Sequence, residues 1–275
     1  MGRRDLMLVR SDSIFCFLNN IKVDIEDLLK HRINKNIRNN SKLRQDRDGI
    51  CFVIGNGPSL KNVNLSLIEG NTSITVNGFY FSDTLFKSDY HVLVDPAYKE
   101  KEYSEAIEKA VKNNPNLKFI VKQEIESEIN KITKNQNEII SILANHSLVG
   151  SNIEIDMTKE MTGSINVIPV AIECAMYMGF KTICLLGCDF SLYTQTKGLH
   201  YYDKEAIENK RGNYEDIEGS NVGNLIRCAL VHKQHYCLEK KAKEIGIQIF
   251  NATKESLIDA YEFIDLEELV NKCHQ

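Results

Sequence analysis

Short apolar runs that stop at polar or glycine-rich punctuation recur along this chain. Cys51-Phe52-Val53-Ile54 runs into Gly55-Asn56-Gly57-Pro58-Ser59-Leu60, Ser73-Ile74-Thr75-Val76 into Asn77-Gly78, Tyr90 to Val94 into Asp95-Pro96, and Thr182 to Cys188 into Asp189. Runs of this length read as strands, and the near-continuous apolar run Thr182 to Cys188 reads as a central strand of a parallel sheet. Helical spacing separates them: Leu60 to Glu69 suits a short helix, and Lys101 to Asn113 carries Tyr103, Ala106, Ile107, Ala110 and Val111 on one side. Leu117 to Val121 is a further strand, Val167 to Met178 is a long apolar helix closed by Gly179 at its C′ position, and Leu225 to Ile245 is helical. Gln248 to Phe250 reads as strand and Ile258 to Val270 as a last helix. In the stretch 122–160, Glu124 to Lys134 is helical, Glu138 to Leu143 is ambiguous, and Asn145 to Lys159 has loop composition. The alternation predicts an α/β fold, a Rossmann-like, mostly parallel sheet flanked by helices.

Such a sheet binds ligands outside the carboxyl ends of its strands. Gly55 and Asn56, Asn77, Asp95 and Asp189 all fall at that place. Two glycines allow close approach of a ligand to the backbone, a proline suits a first helical turn, and free N–H groups there favour an anion. The turn is neither a P-loop, since no Lys-Ser/Thr follows, nor the three-glycine dinucleotide fingerprint. A plain strand-to-helix turn remains the alternative. Between Asp189 and Gly223 the chain is polar, aromatic and irregular, with Tyr193, Lys197, His200, Tyr201, Tyr202 and Arg211. A loop of that length in a compact domain is an active-site lid or a disordered insertion, and its Tyr, His and Lys content favours the lid. The expected organisation is a basic helical leader over 1–48 and one Rossmann-like nucleotide-binding and catalytic domain over 49–275, with the lid at about 190–223.

Composition narrows this picture. The net charge of −4 over 275 residues argues against generic nucleic-acid binding. Eight scattered cysteines form no CxxC or Cys/His ligand spacing, as in a reduced, cytoplasmic protein. No apolar run reaches the ~20 residues of a membrane span, and the N-terminus lacks the apolar core of a signal peptide. From Lys30 to Arg47, seven cations face only Asp46, downstream of a short apolar face at Ile21, Val23, Ile25, Leu28 and Leu29. That leader reads first as a solvated helix and linker. Its alternative is a collar resting peripherally on the inner face of the cytoplasmic membrane.

Several blocks in order carry a resemblance: Ile54 to Leu60, Val76-Asn77-Gly78-Phe79-Tyr80-Phe81, Met178 to Phe190 with its Gly187-Cys188-Asp189-Phe190, His200, and Ile249-Phe250-Asn251-Ala252-Thr253. Over roughly residues 50–255 the chain resembles a bacterial group spanning the sialyltransferases of glycosyltransferase family 42 and the domain of unknown function 115, itself similar to 6-hydroxymethylpterin diphosphokinase. The resemblance implies a GT-A-variant fold and an inverting transfer of sialic acid, or a related nonulosonate, from a CMP-sugar donor to a surface glycan of lipopolysaccharide, lipooligosaccharide or capsule type. It implies no required cofactor and no metal. Gly55, Asn56, Gly57, Ser59, Asn77 and Asp95 would hold the nucleotide, and Asp189 would orient the donor or a loop partner. A further donor-side block falls on Gly163 and Ser164, with Asn166 as the in-register alternative. His200 matches the family's general base, a task suited to an imidazole near neutral pH.

The family's pair of phosphate-stabilising tyrosines is not reproduced, because Ser191 follows Asp189-Phe190 directly. Tyr193, Tyr201 or Tyr202 would have to serve. Two rival readings follow: an ATP- and Mg-dependent diphosphokinase, with Asp95, Asp189 and Asp203 as metal ligands, and a non-catalytic nucleotide-binding subunit. The sequence leaves homo-oligomerisation and a lipid-linked acceptor open.

Overall fold

The computed structural model describes residues 3–82, 84–95, 101–191 and 221–273, with side chains described from residue 14 apart from those of 101–103, 221–224 and 272–273. Among the described residues nine strands form one sheet: β1 (Arg47–Ile54), β2 (Thr72–Val76), β3 (Tyr90–Leu93), β4 (Lys118–Lys122), β5 (Ile139–His146), β6 (Glu160–Thr162), β7 (Phe180–Leu186), β8 (Gln248–Asn251) and β9 (Glu262–Phe263). Their spatial order is β6-β5-β4-β3-β2-β1-β7-β8-β9, with every neighbour parallel. The chain starts in the middle, winds outward to β6, then returns to lay β7 on the other side of β1. Strand order therefore reverses between β1 and β7, where such a sheet opens a crevice at its carboxyl edge.

Alternate residues of the central strands feed two cores. Cys51, Val53, Ile183 and Leu185 point to one face with α5 (Val167–Tyr177) and α6 (Asn221–Glu244). Ile50, Phe52, Ile54, Cys184 and Leu186 point to the other, with α3 (Lys101–Asn113), α4 (Glu126–Ile132) and α7 (Leu266–Cys273). Every residue of α5 is buried, as its apolar sequence requires, and Gly179 closes it at φ +92°, with Gln45 O where a side chain would stand. Burial holds the Cys184 thiol up at about 12, so it stays protonated.

Several elements differ from expectation. The stretch Leu60 to Glu69 forms two 3₁₀ turns, Pro58–Asn62 and Leu65–Ile68: Val63 ends the first, its N–H bonded to Leu60 O, and Asn64 caps the second by accepting from Ser66 N. Glu138 to Leu143 resolves into β5, and the loop-like stretch after it ends in β6. The last helix is shorter, starting after Asp265 caps Glu267 N and Glu268 N, with β9 ahead of it.

The leader is α1 (Arg3–Leu29) followed by α2 (Lys35–Asn39). Asn40 anchors it by donating from Nδ2 to Ser141 O and Met157 O, both at 2.8 Å. Part of the basic run is engaged within the protein: Arg32 lies beside Asp27 and Glu124, Lys30 pairs with Glu26, and Arg47 donates to Met178 O and stacks over Phe180. Among the described residues no helix is long and apolar enough to cross a membrane.

Candidate functional site

The crevice between β1 and β7 holds a cleft of about 130 Å³ lined by Gly55, Asn56, Gly57, Asn77, Asn166, Asp189 and their neighbours. A whole small-molecule pocket spans roughly 300–1,000 Å³, so these residues frame part of a site. Ser191, where the described chain breaks off, is on the cleft wall.

The turn after β1 continues the ladder to β7: Gly55 N donates to Leu186 O and Gly57 N to Gly187 O, each at 2.8 Å. The glycines are needed for space. A Cβ on Gly55 would stand 2.5 Å from Gly187 O, and one on Gly57 would overlap the Asp189 carboxylate. The chain's own β7 end packs closely against these glycines, and both also line the cleft.

Asp189 accepts from Ser59 N at 3.1 Å and from Ser59 Oγ at 2.7 Å. The start of a 3₁₀ turn exposes N–H groups that attract an anion, and here a side-chain carboxylate 130 residues away is that anion. Asp189 O also accepts from Leu257 N, Cys188 N donates to Thr253 Oγ1, and Ser256 Oγ donates to Cys188 O. Asn251 completes this brace, donating to Ile258 O and accepting from Thr253 N. The Asn251-Ala252-Thr253 block thus fixes the floor of the cleft.

Two asparagines bring unused acceptors to the cleft. Asn56 Nδ2 donates to Val76 O at 2.9 Å, which fixes the amide orientation, and its Oδ1 is buried without a partner. Asn77 adopts φ +42°, and its Oδ1 is likewise buried and unpartnered. An unpartnered buried acceptor is costly, and these two belong to residues that line the cleft. Asn77 is braced from behind by His91, whose Nε2 lies 3.0 Å from Asn77 O and whose Nδ1 lies 2.8 Å from Thr75 Oγ1. Burial holds the His91 pKa down at about 3. The ring is therefore neutral, with its proton on Nε2, because a carbonyl can only accept. Sequence reading passed over His91, whose position inside an apolar strand reads as core.

Asn166 supplies the third wall as the N-cap of α5, accepting from Ile168 N at 2.8 Å. The positive end of a fully buried helix therefore faces the cleft. Gly163 and Ser164 do not line it. A Cβ on Gly163 would meet Ala144 O, Gln234 Nε2 donates to Gly163 O, and Ser164 Oγ accepts from Asn166 N, so both residues position the cap. Ser59 and Asp95 are not on the wall either; Ser59 borders the neighbouring groove, and Asp95 follows the end of β3.

Phe190 stands at φ +54°, a strained conformation for a bulky residue, and its ring meets His232 of α6 edge-on at 5.0 Å. Behind it lies a buried polar group: Glu173 accepts from Gln234, and His235 Nδ1 lies 2.8 Å from the Tyr261 hydroxyl. Burial pushes the Glu173 carboxyl well above its ordinary value and holds His235 down at about 3, so the His235 ring is neutral near neutral pH. Among the described residues no three His, Cys, Asp or Glu side chains converge as metal ligands. His200, Tyr193, Tyr201, Tyr202, Lys197, Asp203 and Arg211 lie outside the described residues.

Residues 17–195 match the family described as 6-hydroxymethylpterin diphosphokinase MptE-like. The curated proteins contain no match. Among solved structures, the chain is similar to the monofunctional α-2,3-sialyltransferase Cst-I from Campylobacter jejuni, at 14% identity and a TM-score of 0.51 over 82% of this chain and 84% of that one. The sialyltransferase CstII of the same organism, in complex with CMP-3FNeuAc, matches at 14% identity and a TM-score of 0.44 over 80% and 87% of the two chains. The first likeness confirms the fold class read from the sequence.

Proposed function

We propose that this chain, which belongs to the 6-hydroxymethylpterin diphosphokinase MptE-like family, is a nucleotide-dependent transferase. Its donor would be a CMP-activated sialic acid or related nonulosonate, and its acceptor a hydroxyl of a surface glycan. The observation that carries this reading is the pair of orphaned amide oxygens, Asn56 Oδ1 and Asn77 Oδ1, at the switch point of the sheet. Each asks for a donor, and a nucleoside offers several in its ribose hydroxyls and exocyclic amine. The N-terminus of α5 behind Asn166 would face the phosphate, because Asp189 already occupies the anion position at the Gly57-Ser59 turn. Gly55, Gly57, Ser59 and Asp189 would then shape the cleft instead of touching the nucleotide.

In this reading the acceptor oxygen attacks the anomeric carbon from the face opposite the departing phosphate, which inverts the centre. His200 would take the hydroxyl proton as the new bond forms. Tyr193, Tyr201 or Tyr202 would donate to the leaving phosphate, where negative charge develops. The family's printed name favours a second reading, pyrophosphoryl transfer from a nucleoside triphosphate, with Asp95 as a metal-side carboxylate.

Thermal stabilisation by CMP and by ATP, each with magnesium and with chelator, separates the two. Stabilisation by CMP under both conditions supports the glycosyl reading, and stabilisation by ATP with magnesium alone supports the other. Transfer to an acceptor by wild type and His200→Ala then tests the base; equal rates would remove His200 from that role.

A further inference from the structure

Helix α1 lies on the sheet domain with its polar side inward. Asn20 donates to Ser147 O at 2.9 Å and accepts from Ser147 N at 2.7 Å, Asp24 lies 3.0 Å from His146 Nε2, and Asp27 is buried beside Glu160. The opposite side carries Ile14, Leu18, Ile21, Ile25 and Leu28, all between 40% and 73% exposed. Phe15 and Leu29, at 75% and 73%, widen that side. At about 100° per residue these seven fall within an arc of about 140° that, from Ile14 to the end of the helix, contains one charge, Lys22. A surface helix ordinarily buries its apolar stripe and shows water its polar one. Here the arrangement is reversed, so the apolar face is reserved for something other than this chain's own core.

We propose that α1 is a dimerisation helix that pairs with α1 of a second copy of this chain. Three features choose this occupant. First, the stripe Ile14, Leu18, Ile21, Ile25, Leu28 is spaced 4-3-4-3, the seam by which two helices interlock knobs into holes. Second, the charges around it do not suit an anionic bilayer. Lys22, Asp24, Glu26, Asp27 and Lys30 sum to −1, and Lys22 and Lys30 are both paired with Glu26. Helices that lie on membranes carry Lys and Arg across the polar face, whereas this polar face is acidic and consumed by the sheet domain. Third, seven apolar side chains stand 40–75% exposed side by side, a contiguous patch of the kind that marks an interaction face rather than scattered surface residues. A two-fold pairing sets the same stripe on both subunits, so each covers the other and no open end is left.

The test is the mass of the full chain in solution by light scattering, across a dilution series from tens of micromolar. Wild type is expected at twice 31.4 kDa, and Leu18→Glu/Ile25→Glu at 31.4 kDa, with the same far-UV circular dichroism. Leu85→Glu, which places the same charge on a 95% exposed leucine outside α1, should keep the dimer. Should the double glutamate variant fail to fold, Ile14→Ser/Leu28→Ser gives the same readout without added charge. A wild-type monomer at all concentrations, or a dimer that survives either double substitution, overturns the proposal. A monomer that sediments with phosphatidylglycerol/phosphatidylethanolamine vesicles, and loses that binding in the double variant, also overturns it and assigns the face to lipid.

Discussion

Replacing Gly57 by alanine puts a methyl group where the Asp189 carboxylate now sits, with Gly187 O a further 2.8 Å contact. Gly57 has φ −69°, so alanine meets no backbone strain of its own, and the effect isolates the clash. The carboxylate must swing away and give up Ser59 N and Ser59 Oγ. A hydrogen bond to a charged group contributes about 1.5–3 kcal/mol, and since the pair is partly exposed, a combined loss of about 3 kcal/mol is expected. At about 2–4 °C per kcal/mol for a chain of this size, Tm should fall by about 6–12 °C in a calorimetric scan. Asp189→Ala alone loses the same bonds, so the double variant should fall at least about 1 kcal/mol short of the sum of the singles. A Gly57→Ala protein as stable as wild type, or strictly additive effects, would refute the view that Gly57 exists to admit Asp189.

Further outcomes follow from the buried groups. His91 and His235 are held at about 3, below the ordinary histidine value of 6.5, so the unfolded chain binds more protons and stability falls as pH drops below 6.5, by up to ~1.4 kcal/mol per pH unit for each. Acid unfolding monitored by circular dichroism should lose one proton's slope in His91→Gln. Glu173 has the opposite sign: its raised pKa means the folded state keeps a proton that the unfolded chain releases above 4.5, so stability declines as pH rises. Glu173→Gln should flatten the neutral-to-alkaline side of the denaturant midpoint curve, and an unchanged slope would show that Glu173 is ionised when folded. Asn56→Ala removes a cleft acceptor and the bond to Val76 O, so a Tm loss of a few degrees and roughly tenfold weaker nucleotide binding are expected together.

Much of the sheet was legible because β1, β3, β4 and β7 have mostly apolar centres and β1, β2, β3 and β7 run out into Gly, Asn or Asp, the pattern of a covered parallel sheet. β5 was obscured by its polar ending at Asn145-His146, where the leader covers it instead of a core helix. The site was legible in its addresses but less so in its roles. Asn56 and Asn77 reveal themselves as residues that end strands, and both line the cleft. The glycines of the turn suggested room for a ligand; they also admit Gly187 and Asp189, which follow a strand about 130 positions on. No local pattern encodes that meeting. His91 escaped notice for a related reason: its neighbours Thr75 and Asn77 are assembled only by the pairing of β3 with β2. The leader's apolar face was visible in part, from Ile21 to Leu29, but its outward orientation depends on Asn20 and Asp24 finding Ser147 and His146.

Calorimetric titration of the full chain with CMP, with and without magnesium, against ATP with magnesium, tests the assignment of the cleft most directly. CMP is expected to bind in both conditions and to bind at least tenfold more weakly to Asn77→Ala, through loss of the orphaned acceptor. Binding of ATP with magnesium but not of CMP, or CMP binding unchanged in Asn77→Ala, would contradict it.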